Sequence, residues 1–201
     1  IHKMTVRGDI RFRFATTEMI CVMSNDEDKA KELVFDVTLP KDAFIANFSM
    51  EIEGKDYPGN VRKKQEARQE YLAARNTGHS GALVEQSARH SNKFDVSVNI
   101  AAQSNVTFTL IYKELLRRRF GSYEYSVYID GESLDKVLDY SMEIYIQDRN
   151  EIKDVRTPAM RKEVISNVVE EGQNTLTQIT NPSATTVYVV YQPSREELKE
   201  M

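Results

Sequence analysis

The sequence predicts a mainly β fold, an antiparallel β-sandwich with one principal amphipathic helix inserted between strands and minor helices beside it. Three observations carry this. Apolar residues recur at every second position in several separate stretches, as at Phe94, Val96, Val98 and Ile100, which places them on one face of a strand. Over residues 61–76 the period changes: Ala67, Tyr71 and Ala74 fall at i, i+4 and i+7, while Arg62, Lys63, Glu66, Arg68 and Glu70 face water. Polar, Gly- or Pro-bearing breaks then separate one alternating stretch from the next.

From the N-terminus, Ile10, Phe12 and Phe14 alternate with Arg11 and Arg13 as one strand, and residues 19–23 supply a second. Residues 24–29 are a polar turn, and Leu33, Phe35, Val37 and Leu39 alternate up to Pro40, so the three strands read as a meander. Phe44, Ala46, Phe48, Met50 and Ile52 share one face of the next strand, leaving Ile45, Asn47, Ser49 and Glu51 on the other. The helix has no Pro or Gly inside and stops at Asn76-Thr77-Gly78, where Gly78 takes the left-handed conformation that closes a helix. A short apolar run at 82–84 and the alternation at 94–100 follow, and Val106, Phe108, Leu110 and Tyr112 begin a strand after the turn at 102–104.

Arg117, Arg118 and Arg119 lie in a loop, after which Tyr123, Tyr125, Val127 and Ile129 alternate as another strand. Asp130-Gly131 is a turn, residues 133–138 a short helix capped by Ser133, and Tyr140, Met142, Ile144 and Ile146 a further strand. Residues 157–167 read either as a helix opened by Pro158 or as a strand favoured by Val164 and Ile165. Residues 176–179 are a strand, Asn181-Pro182-Ser183 a turn, and 187–191 the last strand; residues 193–197 start a helix or a linker. The expected organisation is a sandwich domain over 1–150, with 151–201 completing it and leading toward a following domain.

A chain of 201 residues supports one substantial core. With 40% hydrophobic and 29% charged residues it has the composition of a folded protein rather than a disordered one. A formal charge of −4 argues against nucleic acid as the main partner. No apolar stretch is long enough to span a bilayer. The first residues lack the sections of a signal peptide, although Ile1 is compatible with a processed chain. Cys21, the single cysteine, excludes an internal disulfide; it reads as a buried small hydrophobe, with pairing to a segment outside the chain as the alternative.

Residues that would carry catalysis are missing from the pattern. Gly78-His79-Ser80-Gly81 falls short of G-x-S-x-G because Ala82 stands where the last glycine belongs. His2, His79 and His90 have no zinc-ligand spacing, and Asp26-Glu27-Asp28 lacks the alternating ligands and glycine of a calcium loop. No enzyme activity, cofactor or metal is therefore expected. Two N-glycosylation sequons are present at Asn47 and Asn105, each on the polar side of its predicted strand. Lys113 with Arg117, Arg118 and Arg119 forms a candidate basic patch, and the helix adds Arg62, Lys63, Lys64, Arg68 and Arg75. Such groups suit sulfated or carboxylated glycans, yet interleaved Glu66, Glu70 and Glu114 favour a solvated surface or an interdomain contact.

The order of YLAA helix, Gly-rich turn, GALVE, FDVSVNI and VTFTLIYKELLRRRFGSYEYSV, preceded by LVFDVTLPKDAFIANF, closely resembles the VIT domain of the inter-alpha-trypsin inhibitor heavy chains. The resemblance runs from about Thr16 to Tyr128 and implies a VIT-like sandwich. It further implies a secreted, non-enzymatic glycoprotein that precedes a von Willebrand A domain, stabilises hyaluronan-rich matrix and associates with a serine protease inhibitor. In that family the glycosaminoglycan (hyaluronan, chondroitin sulfate) is engaged through regions outside this chain. A second reading is the VIT module of an intracellular protein, such as the vault-associated or A-domain-containing relatives, serving assembly.

Overall fold

The first two strands show how turn chemistry overrides a simple alternation. In the computed structural model, which describes residues 1–60, 62–86, 92–129, 137–158 and 173–200, β1 (Lys3–Arg11) and β2 (Phe14–Asn25) are antiparallel and pair Arg11 with Phe14. Residues 10–14, expected as one strand, are instead a hairpin. Phe12 and Arg13 form its two-residue turn with φ of 50° and 68°, the left-handed geometry whose twist matches that of the flanking strands.

Eight strands make the larger sheet in the order β12-β13-β11-β1-β2-β8-β4-β5. The members not yet placed are β4 (Phe44–Ile52), β5 (Lys55–Pro58), β8 (Ser104–Leu115), β11 (Asp139–Gln147), β12 (Thr177–Ser183) and β13 (Thr186–Tyr191). Its pairing is antiparallel except for β1 with β11, which run parallel from Lys3 opposite Asp139 to Arg11 opposite Gln147. A smaller sheet has the order β3-β7-β6, from β3 (Lys31–Thr38), β6 (Gly81–Gln86) and β7 (Lys93–Ile100). The expected meander is thus corrected: β3 leaves β2 and joins the second sheet, and the exposed residues 26–30 carry the chain from one sheet to the other.

The two sheets face each other across one core. Val6, Met19, Cys21, Phe108, Leu110 and Met50 of the larger sheet pack with Val37, Val96, Val98 and Ile100 of the smaller. Alternation in β8 is complete, with Ser104, Val106, Phe108, Leu110, Tyr112 and Glu114 all buried. In β4 it is not. Ile45 stands opposite Tyr112 and Asn47 opposite Ile111, so Ala46 is the extra residue of a bulge. The bulge turns Phe44 and Ala46 to solvent and brings Ile45 and Phe48 onto the core, reversing the expected facing of Phe44, Ile45 and Ala46.

Helix α1 (Lys64–Asn76) lies on the far side of the smaller sheet. Gly81 and Leu83 alternate with the core-facing Ala82 and Val84, and a Cβ at Gly81 would stand 3.5 Å from Ala74 Cβ. Tyr71 is the buried residue of the helix, and Gly78 closes it with φ 76°. The layers are therefore large sheet, small sheet, helix.

Beyond β8, residues 117–119 are not a plain loop. Arg118–Arg119 (β9) pairs with Ser122–Tyr123 (β10) around Phe120-Gly121. Regular pairing stops there, so Tyr125, Val127 and Ile129 are not a strand; they pack on the core while Tyr125 lies over Gly8 and shares a 2.7 Å hydrogen bond with Thr17. Asn181-Pro182-Ser183 belongs to β12, with a bulge before Ser183, and the turn falls at 184–185. The helix expected at 133–138 and the alternatives for 157–167 lie mostly outside the described residues; Val137 is a buried core residue with no helical neighbours described. Last comes α2 (Arg195–Glu200), opened by a reciprocal pair in which Glu197 N–H donates to Ser194 Oγ and Ser194 N–H to Glu197 Oε2.

Candidate interaction surface

The basic groups divide into those bound to carboxylates and those left over. On α1, Arg68 reaches Glu85 at 2.9 Å and Arg75 reaches Glu32 at 3.1 Å, while Arg62, which the sequence placed in the helix but which precedes it, meets Glu70 of α1 at 3.2 Å. Tyr71 Oη also donates to Glu32, at 2.5 Å. The contacts to Glu32 and Glu85 clip the helix to β3 and β6, so Arg68 and Arg75 serve the fold. A polyanion would have to compete with carboxylates already in place.

Of the patch expected at Lys113, Arg117, Arg118 and Arg119, Arg117 is engaged: its Nε lies 2.8 Å and its Nη2 3.0 Å from the two oxygens of Asp42. Arg118 donates Nε to the Gly121 carbonyl at 3.2 Å, fastening its own hairpin. Lys113 sits on the outer face of the larger sheet between Thr16 and Phe44. Arg118 and Arg119 are exposed beside Phe120. The sequence reading missed the aromatic half of this surface: Phe12, Phe14 and Phe44 are exposed although alternation put them in the core. The available signal was Phe120-Gly121, a turn dipeptide directly after three arginines.

Asn47 and Asn105 are both exposed, on the outer faces of β4 and β8. Their hydroxyl partners Ser49 and Thr107 lie two residues on and share that face. Glycans at both positions would cover the same side of the larger sheet.

Cys21 is 1% exposed at the centre of the core, and burial pushes its thiol up to about 12. A cysteine from another segment reaches it only if the two sheets part, and this burial favours the buried-hydrophobe reading. Ser80 Oγ accepts the Ala101 N–H at 2.9 Å, and His79 Nδ1 is bonded to Thr77 Oγ1. Neither is placed as nucleophile and base; His90 lies outside the described residues. Among the described residues no three His, Cys, Asp or Glu side chains gather as a metal would require, and no helix is long and apolar enough to cross a membrane.

Among the described carboxyl groups Glu114 is the one shifted upward. It is buried on the inner face near Tyr112, its Oε1 has no hydrogen-bond partner among the described residues, and burial, with a smaller contribution from Asp42, raises its carboxyl to about 7.

Fold and surface together define a helix-backed β-sandwich that carries two exposed sequons on the outer face of its larger sheet. Residues 1–112 match the family described as the vault protein inter-alpha-trypsin domain, and the chain belongs to that family. It is 44% identical over 146 residues to the mouse inter alpha-trypsin inhibitor, heavy chain 4, covering 73% of this chain and 15% of the relative. Against the human heavy chain H3 it is 41% identical over 145 residues, covering 72% of this chain and 16% of the relative. The chain thus spans about a sixth of the length of the curated relatives it matches. A putative nutrient binding protein from Legionella pneumophila superposes with a TM-score of 0.50 at 9% identity, over 96% of this chain and 62% of the other, a likeness of fold alone.

Proposed function

We propose that this chain is a non-catalytic, secreted interaction module of a heavy-chain-like protein. It packs against an adjacent von Willebrand A domain and displays a glycosylated sheet face. Through the longer protein it takes part in hyaluronan-rich matrix and in association with a protease inhibitor; glycosaminoglycan attachment falls to regions outside this chain. The heavy-chain relationship supports the reading, and the observation that carries its extracellular part is the exposure of Asn47 and Asn105 on one outer face.

Intact mass of protein purified from its natural source, before and after peptide N-glycosidase, tests it. Two glycan losses, one abolished by Asn47→Gln and the other by Asn105→Gln, are expected. A bare chain at both positions would sink the secreted reading and leave the intracellular assembly module.

A further inference from the structure

Three turns meet at one end of the sandwich: Phe12–Arg13, residues 40–43 and the β9–β10 hairpin. The Leu116 N–H donates to the Arg13 carbonyl at 2.8 Å, and Arg117 holds Asp42, so the three are fixed to one another. Two of them carry aromatic tips. Phe120 is fully exposed on its hairpin, with φ of 48° followed by 85° at Gly121; Phe12 is 51% exposed with Arg149 5.6 Å above its ring. On the adjoining rim Phe14 pairs with Leu115 and Phe44 with Lys113, and both phenylalanines are exposed.

Around these rings stand Arg13, Lys41, Lys113, Arg118 and Arg119, each without a carboxylate at salt-bridge distance among the described residues. Nearby Asp9 and Asp42 are matched by Arg11 and Arg117, leaving the buried Glu114 together with Glu124, Asp148 and Glu151 as opposing charges. With Arg149 over Phe12 the cations here outnumber those carboxylates, so this end has the opposite sign to the chain as a whole, which is acidic at −4. Asp26, Asp28, Glu51, Glu53 and Asp56 lie at the opposite end, at or beyond the far ends of β2 and β4. The twelve residues of β8 separate the ends by about 40 Å, far more than a Debye length of about 8 Å. The acidic end therefore does not cancel this positive excess.

We propose that this end docks on an anionic phospholipid membrane, with Phe120 and Phe12 entering the boundary between headgroups and acyl chains and the cations meeting lipid phosphate and carboxylate. Convex aromatic tips gain contact by entering a deformable phase, whereas a rigid protein partner would need two matching pockets. The chain leads away from this surface along β13, from Thr186 opposite Gln147 to Tyr191 opposite Met142, and Leu198 of α2 is buried in the core cluster with Val137 and Tyr140.

The chain contains no Trp, so Phe120→Trp supplies a single reporter at an exposed tip. With vesicles of phosphatidylcholine containing phosphatidylserine, its emission shifts to the blue and is quenched by lipids brominated along the acyl chain; with phosphatidylcholine alone it does not shift. Each cation at an anionic surface contributes on the order of fivefold in partition, so adding Arg118→Ser and Arg119→Ser lowers binding on the order of thirtyfold. Co-sedimentation of the unlabelled chain falls with Phe120→Ala and with added salt. Emission unchanged over both vesicle types overturns the proposal, as does equal binding to both. A blue shift that follows protein concentration without lipid also overturns it, in favour of contact between copies.

Discussion

Glu114 and Arg13 each sit where an ordinary residue of their kind is at a disadvantage. The Glu114 carboxyl ionises near 4.5 in the unfolded chain and near 7 in the fold, so between these values the folded protein holds a proton the unfolded chain has lost. Stability therefore falls as pH rises through that window, by on the order of 1 kcal/mol once solvent screening is allowed for. Glu114→Gln should flatten this slope and raise stability at pH 8, measured by urea unfolding at pH 5 and pH 8. Arg13 holds φ at 68°, a region costly for any side chain but free for glycine. Arg13→Gly should add about 1 kcal/mol to the unfolding free energy in the same assay. The hairpin was hidden in the sequence because Phe-Arg lacks the Asn-Gly chemistry that usually marks this turn, and the apolar alternation continues through it.

Among the elements, α1 was the most legible, since its period, composition and Gly78 stop all act within one segment. Its face was readable too, with Tyr71 buried as the spacing requires. Its partner was not: Glu32 lies on β3, thirty-nine positions away, and nothing local records that contact. Tyr71→Phe removes the hydroxyl that donates to Glu32, and a hydrogen bond to a charged acceptor contributes about 1.5 to 3 kcal/mol. The expected result is a loss toward the lower figure, because Arg75 still holds Glu32, together with faster amide exchange over 64–76. The bulge at Ala46 was equally invisible, since a single inserted residue leaves apolar residues available on both sides of the strand. The arginines of the β9–β10 hairpin were readable as residues, while the aromatic rings beside them were misassigned with the bulge and the hairpin.

In the whole molecule, the strands after residue 150 are structural members of the larger sheet. β13 pairs with β11, and Tyr191 packs edge-on against the buried Tyr140 at 6.2 Å between centroids. A chain ended at residue 150 should expose β11 as an unpaired edge and uncover Tyr140, giving aggregated material by size-exclusion chromatography where the complete chain elutes as a defined species. The sequence by itself determined the β-rich class, the position and face of the helix, the family and the sequons, because period, composition and short motifs are local properties. Only the tertiary structure decided that β3 leaves its hairpin neighbours for a second sheet, that β1 pairs in parallel with a strand more than a hundred residues later, and that three turns gather cations and aromatic rings at one end. Those outcomes depend on which long-range pairings bury the most apolar surface together, a quantity that belongs to the folded whole and to no single segment.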